Sequence, residues 1–270
     1  MTITPESIWA DVTAIRHKAP LIHNITNYVV MNTTANALLA LGASPVMAHA
    51  LPEVEQMVGY AGALVINIGT LSDAWITAMT AAARRAGEIH VPVILDPVGS
   101  GATQYRTRTA RNLAEEFRPA IIRGNGSEIM SLCRLDVRTK GVDSANSSDA
   151  ALEAASALNR ETGSIVCITG QTDYIVGGPV THAVYNGHPM MPRVTGLGCT
   201  ASALCGAFAA VNKNFDMAAA HAMAVMGIAG EMAARTARGP GSLQTAFIDS
   251  LYLMTEADIR ELFRTGGAAA

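Results

Sequence analysis

At 270 residues, 50% of them apolar and 15% charged, the chain has enough apolar sequence to bury a large core and is too hydrophobic for disorder. Its net charge of −3 supplies no basic field, which argues against nucleic acid as the main partner. No uninterrupted apolar run reaches about 18 residues, so no membrane span is expected, and Met1-Thr2-Ile3-Thr4-Pro5-Glu6 lacks the basic and apolar regions of a secretory signal.

Apolar strand-like runs alternate with Ala-rich helical ones. In chain order the pattern predicts a strand over 21–25, a helix over 28–41, a strand over 44–48, a helix over 52–61 and a strand over 63–68. It continues with a helix over 73–88, a strand over 91–95, a helix over 107–117, a strand over 120–123 and helices over 127–133 and 148–161. A strand over 164–169 leads to a polar hairpin, 174–176 with 181–185, turned by Gly177-Gly178. The last third reads as helices over 199–211, 217–237 and 243–255. Strand–helix alternation with short connections predicts an α/β fold, a mainly parallel central sheet covered on both faces. Residues 1–270 read as a single domain, with a tail expected to fray from roughly 256 to 270.

In such sheets ligands bind beyond the carboxyl ends of the strands. The segments that follow the predicted strands there repeat one theme, glycine with a polar or acidic residue: Gly69-Thr70, Asp96-Pro97-Val98-Gly99, Gly124-Asn125-Gly126-Ser127-Glu128 and Thr169-Gly170. Asp96 ends an apolar strand, and Pro97 holds its backbone extended. Glu128 sits in the first turn of a helix that Ser127 is placed to cap. Two carboxylates at neighbouring strand ends suit Mg²⁺, which takes few protein ligands besides substrate phosphates.

The sharpest local signal is Val194-Thr195-Gly196-Leu197-Gly198-Cys199-Thr200-Ala201. Gly196 and Gly198 precede a predicted helix, and unpaired N–H groups at a helix start form an anion site. Cys199 falls in the first turn, where the helix dipole lowers a thiol pKa. An anion hole with an ionisable group beside it suggests phosphoryl transfer. The same segment also fits the dinucleotide pattern G-x-G-x-x-A. That reading needs a following strand with an acidic end, and another helical pattern stands there instead.

The remaining features are weaker. The cysteines Cys133, Cys167, Cys199 and Cys205 form no CxxC pair, so a reduced, cytoplasmic setting is expected. Asn24, Asn27, Asn32 and Asn36 crowd an apolar stretch; some should cap helices, and Asn32 and Asn36 share a face suited to a polar ligand or a subunit contact. Met47 is a soft side chain of the type that lines a heterocycle pocket. His221 reads as a packing residue, and Arg106, Arg108 and Arg111 as a solvated helix face. Walker-A, kinase catalytic-loop, H-E-x-x-H and G-x-S-x-G patterns are absent from the sequence.

Taken together, these blocks resemble the hydroxyethylthiazole kinase family of the ribokinase-like superfamily over about residues 20 to 255. The resemblance rests on His23-Asn24-Ile25-Thr26-Asn27, Gly42-Ala43-Ser44-Pro45-Val46-Met47, Asn67-Ile68-Gly69-Thr70-Leu71, Asp96-Pro97-Val98, Ile122 to Ile129, Thr169-Gly170 and Gly239-Pro240-Gly241-Ser242, in family order. It implies a three-layer α/β/α fold with no separate lid domain. It implies ATP- and Mg²⁺-dependent phosphorylation of the hydroxyl of 4-methyl-5-(2-hydroxyethyl)thiazole, toward thiamine phosphate. By the same resemblance Met47 and Gly196 would contact the thiazole, with Asn24 on the substrate side. Arg123 and Thr169 would bind ATP, and Asp96 and Glu128 would serve Mg²⁺ and the phosphates. Cys199 would be the catalytic residue, in the place where most members of the superfamily carry an Asp, flanked by an anion hole of Gly196, Gly198 and its own N–H. Family members resemble trimers with sites near subunit boundaries. Leu197 departs from the pattern, which expects a small polar residue between the glycines. The alternatives are a kinase of the same superfamily for hydroxymethylpyrimidine, and a nucleotide or metabolite sensor that keeps the site without turnover.

Overall fold

The computed structural model describes residues 2–133 and 144–267. Helix α1 (Pro5–Lys18) precedes β1 (Leu21–Ile25), α2 (Met31–Leu41), β2 (Ser44–Val46), α3 (Leu51–Val58), β3 (Ala63–Asn67) and α4 (Asp73–Glu88). Then come β4 (Val93–Asp96), α5 (Gln104–Phe117), β5 (Ile121–Asn125), α6 (Gly126–Leu132), α7 (Ser144–Thr162), β6 (Ile165–Thr169), β7 (Asp173–Val176) and β8 (His182–Val184). Helices α8 (Leu197–Val211), α9 (Phe215–Ala234), α10 (Pro240–Leu253) and α11 (Glu256–Leu262) lead to β9 (Thr265–Gly267).

All the described strands form one sheet in the order β2-β1-β3-β4-β5-β6-β7-β8-β9. Strands β1 to β6 are parallel, and β7, β8 and β9 add antiparallel. Alternation within each apolar run sends neighbours to opposite faces. Ile22, Val65, Ile94, Ile121 and Cys167 pack toward α1, α2 and α8 to α11. Leu64, Ile66, Leu95, Ile122 and Val166 pack toward α3 to α7. The result is three layers, as expected.

Local chemistry sets the helices. In α4 the Ser72 side chain accepts from Trp75 N, and Trp75, Ala78, Met79, Ala82, Ala83 and Ala86 form one buried stripe. Helix α8 is buried along most of its length. A Cβ on Gly206 would stand 2.7 Å from Val65 Cγ2, so glycine is what lets this helix sit directly on the sheet. Helix α9 is long and apolar enough to cross a membrane, but most of it is buried inside the protein, where it packs between α8 and α10 as a core helix.

Several expectations need correction. Helix α1 was absent from the pattern because it buries only Ile8, Val12 and Ile15, a sparse stripe; Thr4 and Ser7 form its capping box. The tail does not fray from residue 256. Thr255 and Asp258 cap α11, and β9 pairs with β8; residues 268–270 lie outside the described ones. Arg106 is not on a solvated face, since it donates to the carbonyls of Ile68, Val98 and Gly69. Arg111 likewise holds those of Ser131 and Cys133. His221 is buried as expected, with Asp11 at 2.6 Å and Ser7 at 3.1 Å.

Candidate active site

The carboxyl ends of β3, β4, β5 and β6 stand side by side, and sheet register puts Asn67 beside Asp96 and Asn125 beside Thr169. Opposite them lies the start of α8. Gly196 is its N-cap at φ +86°, where a Cβ would also sit 2.7 Å from Val30 Cγ1, so both conformation and space require glycine. No side chain caps this helix. The first-turn N–H groups are therefore left without a side-chain acceptor.

A cavity of about 410 Å³ brings together Asp96, Arg123, Glu128, Gly196, Gly198 and Cys199. A second, of about 950 Å³, holds Thr169 and shares Arg123, Asn125, Thr195, Gly196 and Gly198 with the first. The two are halves of one cleft, with Arg123 at the junction. Arg123 Nη1 donates to Gly198 O at 3.0 Å and Nη2 to Thr169 Oγ1. Its Nε is buried without a partner.

Asp96 is fully buried. Its Oδ2 accepts from Asn67 Nδ2 at 2.7 Å and from Ser202 Oγ at 2.8 Å, while Oδ1 has no partner. Burial pushes this carboxyl up to about 7; Arg123 pulls against the shift, and Glu128 adds to it. Each oxygen of Glu128 already accepts one backbone N–H, Gly99 N at Oε1 and Asn125 N at Oε2, both at 2.9 Å. It thereby ties the loop after β4 to the end of β5. The cap of α6 is Asn125, not Ser127: Glu128 N donates to Asn125 Oδ1, and Ser127 Oγ donates to the same atom.

Cys199 departs from the sequence expectation. Burial lifts its thiol to about 11, and the neighbouring Asp96 carboxylate adds to the rise. Desolvation thus outweighs the helix terminus. Asn27 Nδ2 reaches its Sγ at 3.4 Å and also donates to Asn67 Oδ1 at 2.8 Å. A continuous chain Cys199–Asn27–Asn67–Asp96–Ser202 therefore backs the cleft. Sequence reasoning assigned no role to Asn27, Asn67 or Ser202. Asn27 is marked in sequence by the asparagine cluster around it and Asn67 by its place just before the glycine turn after β3, whereas Ser202 carries no local signal.

Two expected residues are elsewhere. Asn24 is buried within β1, where its Nδ2 folds back onto Ile22 O at 2.8 Å, and it lines neither cavity. Asn27, three residues on, is the asparagine that reaches the cleft. Met47 lies past the end of edge strand β2, half-buried, and lines neither cavity. Its neighbour His49 belongs to an aromatic group with Tyr28 and Trp75. Among the described residues no group of three or more His, Cys, Asp or Glu is placed to hold a metal.

The model of the hydroxyethylthiazole kinase family matches residues 12–257 of the chain. Over 265 residues the chain is 63% identical to the hydroxyethylthiazole kinase of Syntrophus aciditrophicus, covering 98% of each protein. Its structure resembles that of the hydroxyethylthiazole kinase protein from Pyrococcus horikoshii with a TM-score of 0.89 at 42% identity, over 98% of this chain and 100% of that one. A ribokinase-like superfamily protein from Enterococcus faecalis, at 14% identity, shares the fold with a TM-score of 0.63 over 92% of this chain and 94% of its own.

Proposed function

The chain belongs to the hydroxyethylthiazole kinase family and is a kinase of ribokinase-like fold, and we propose that it transfers the γ-phosphoryl group of ATP to the side-chain hydroxyl of 4-methyl-5-(2-hydroxyethyl)thiazole, with Mg²⁺, in the cytoplasm, as a step toward thiamine phosphate. The observation that carries the reading is the convergence of Asp96, Glu128, Arg123 and an uncapped glycine turn on one cleft. The larger half of that cleft takes the nucleotide, and the smaller half takes the phosphoryl group and the alcohol.

Phosphoryl transfer asks for positioning and for neutralised charge on the moving group. The N–H groups of the Gly196–Cys199 turn supply donors fixed before the reaction begins. Arg123, anchored by Gly198 O and Thr169, supplies a cation at the junction of the two halves. The donor set fits Mg²⁺: Asp96 Oδ1 is a buried carboxylate oxygen with no partner, and Glu128 keeps a second lone pair on each oxygen. Bound there with the phosphates, the ion would neutralise their charge. A thiol lifted to about 11 is protonated at neutral pH, so Cys199 orients the attacking hydroxyl rather than deprotonating it beforehand.

Steady-state assays with ATP and a panel of alcohols test the assignment. Turnover is expected to be fastest with the thiazole alcohol; turnover of pyrimidine alcohols or sugars with none of the thiazole refutes it.

Met47 lies outside the cleft of its own chain, so its contact with the thiazole is proposed across a subunit boundary in a homotrimer. Tyr28, Val29, Leu39 and Leu51, on loops and helices adjoining the β1 and β2 end of the sheet, are exposed apolar residues that such a contact would cover. Light scattering at micromolar concentration is expected to give three times the chain mass of 28.2 kDa. A monomer at that concentration would rule the arrangement out.

A further inference from the structure

One part of the lining of the larger cavity is the stretch Tyr185 to Pro189. It joins β8 to the segment that ends at the glycine turn of α8, so its position sets the width of the space a nucleotide would enter. It has no regular secondary structure apart from a few turn bonds, and its placement depends on what holds it from behind.

Two independent features hold it. The first is a slot on α9. A Cβ on Gly227 would stand 2.5 Å from Asn186 Cβ, and one on Gly230 would stand 2.2 Å from Met191 Sδ, so the loop lies directly on the bare helix. The second is a polar knot centred on Glu231, one turn along the same helix face. Glu231 Oε1 accepts from Gly187 N at 2.7 Å and from Asn186 Nδ2 at 3.1 Å. Arg264, just before β9, closes the knot. It donates through Nη2 to Glu231 Oε1 at 2.6 Å and through Nη1 to Oε2 at 3.1 Å. Its backbone N donates to Asn186 Oδ1 at 2.9 Å, and its carbonyl accepts from Tyr185 N at 3.0 Å. Arg264 lies beyond residue 257, where the match to the family model stops.

We propose that Arg264 is a positioning residue for the nucleoside triphosphate: by clamping Glu231 onto Asn186 and Gly187 it fixes the wall of the nucleotide half of the cleft. The C-terminal segment α11–β9 is then part of the binding machinery. A bidentate arginine–carboxylate pair is rigid in direction as well as charged, which a wall of defined position needs. Glu231 is 13% exposed, so its charge is partly desolvated and depends on its partner. The proposal rests on the reading that the larger cavity takes ATP.

The test is Arg264→Ala, with Arg264→Lys as the conservative variant. Arg264 is 51% exposed, so both are expected to fold, and a melting curve checks this. Hydrogen exchange on the free protein reads the wall, and steady-state kinetics reads the site. The expected result for Ala is faster exchange in residues 185–189, unchanged exchange in β1 and β3, a KM for ATP raised about 5- to 20-fold, and a KM for the alcohol within about twofold. Lysine keeps the charge but not the fork, so it should fall between. Unchanged exchange in 185–189, an unchanged KM for ATP, or equal rises in both KM values would each overturn the proposal. A wild-type enzyme that does not saturate with ATP would overturn the nucleotide reading itself, and the proposal with it. Saturation with an unaltered KM in the variant overturns the proposal alone.

Discussion

Asp96→Asn is expected to lose about 10²-fold or more in turnover while making the folded protein more stable at alkaline pH. The amide oxygen can accept from Asn67 and Ser202 as Oδ2 does now. That leaves an NH₂ group in place of the buried, partnerless Oδ1 at the wall of the cleft. A donor in that position repels what an acceptor would hold, so the Mg²⁺ concentration needed for residual turnover should rise. The stability effect follows from the folded-state pKa of about 7 against an ordinary 3.8. Between those values the folded protein keeps a proton that the unfolded chain has released. Stability therefore falls as pH rises through this window and stays reduced above it. The full penalty is of the order of 4 kcal/mol at 1.36 kcal/mol per unit. Asparagine carries no such penalty. Its gain in Tm should be about 5 °C larger at pH 8 than at pH 5. Thermal melts at the two pH values, beside kinetics with an Mg²⁺ titration, check both halves. Normal turnover, or a Tm gain that does not grow with pH, would show that Asp96 is not the strained functional carboxylate described here.

The sheet was legible because burial on both faces writes itself into contiguous apolar strands. The predicted runs at 21–25, 63–68 and 164–169 match β1, β3 and β6 to within a residue or two. What the pattern missed was held by means other than an apolar stripe. Helix α1 rests on a capping box and three buried residues, and α11 and β9 rest on a second box and on Arg264. The same limit applied to the site. Strand-end logic put Asp96 and Glu128 on one edge of the sheet, and the structure joins them with the glycine turn of α8 in one cleft. The asparagine chain behind them depends on register and on contacts between residues far apart, as from Asn27 to Cys199, so no local spacing encodes it. The arginines illustrate the same point: a sequence shows charge, whereas the three carbonyls around Arg106 exist only once the β3 and β4 loops meet. At Cys199 the helix-terminus effect is local and visible in the sequence, while the desolvation that outweighs it is set by the whole fold.

Cys199→Ala is expected to lower kcat while leaving the fold and most of the ATP affinity in place, and Cys199→Asp to recover a large part of the loss. The alanine variant removes the group that receives Asn27 at the back of the cleft, yet the glycine-turn donors and Arg123 remain, so activity should not vanish. Its loss should stay at or below the lower end of the roughly 10²–10⁴-fold range for general-base catalysis, because a thiol held near 11 is almost wholly protonated in the working enzyme. An aspartate accepts from Asn27 more strongly than sulphur does, and its charge is favoured at the start of α8. It is also a competent base, which the buried thiol is not. Its proximity to Asp96 opposes ionisation, and a cation bound with the phosphates would relieve that repulsion. The pH profile separates the two roles of the native residue. A thiolate base would make the wild-type rate climb about tenfold per pH unit toward the thiol pKa, whereas a neutral orienting thiol adds no such slope, and the Ala variant should then keep the wild-type profile at a lower level. Wild-type activity in the Ala variant would reduce Cys199 to a packing residue. An Asp variant no faster than Ala would sink the idea that this position governs the hydroxyl's proton at all.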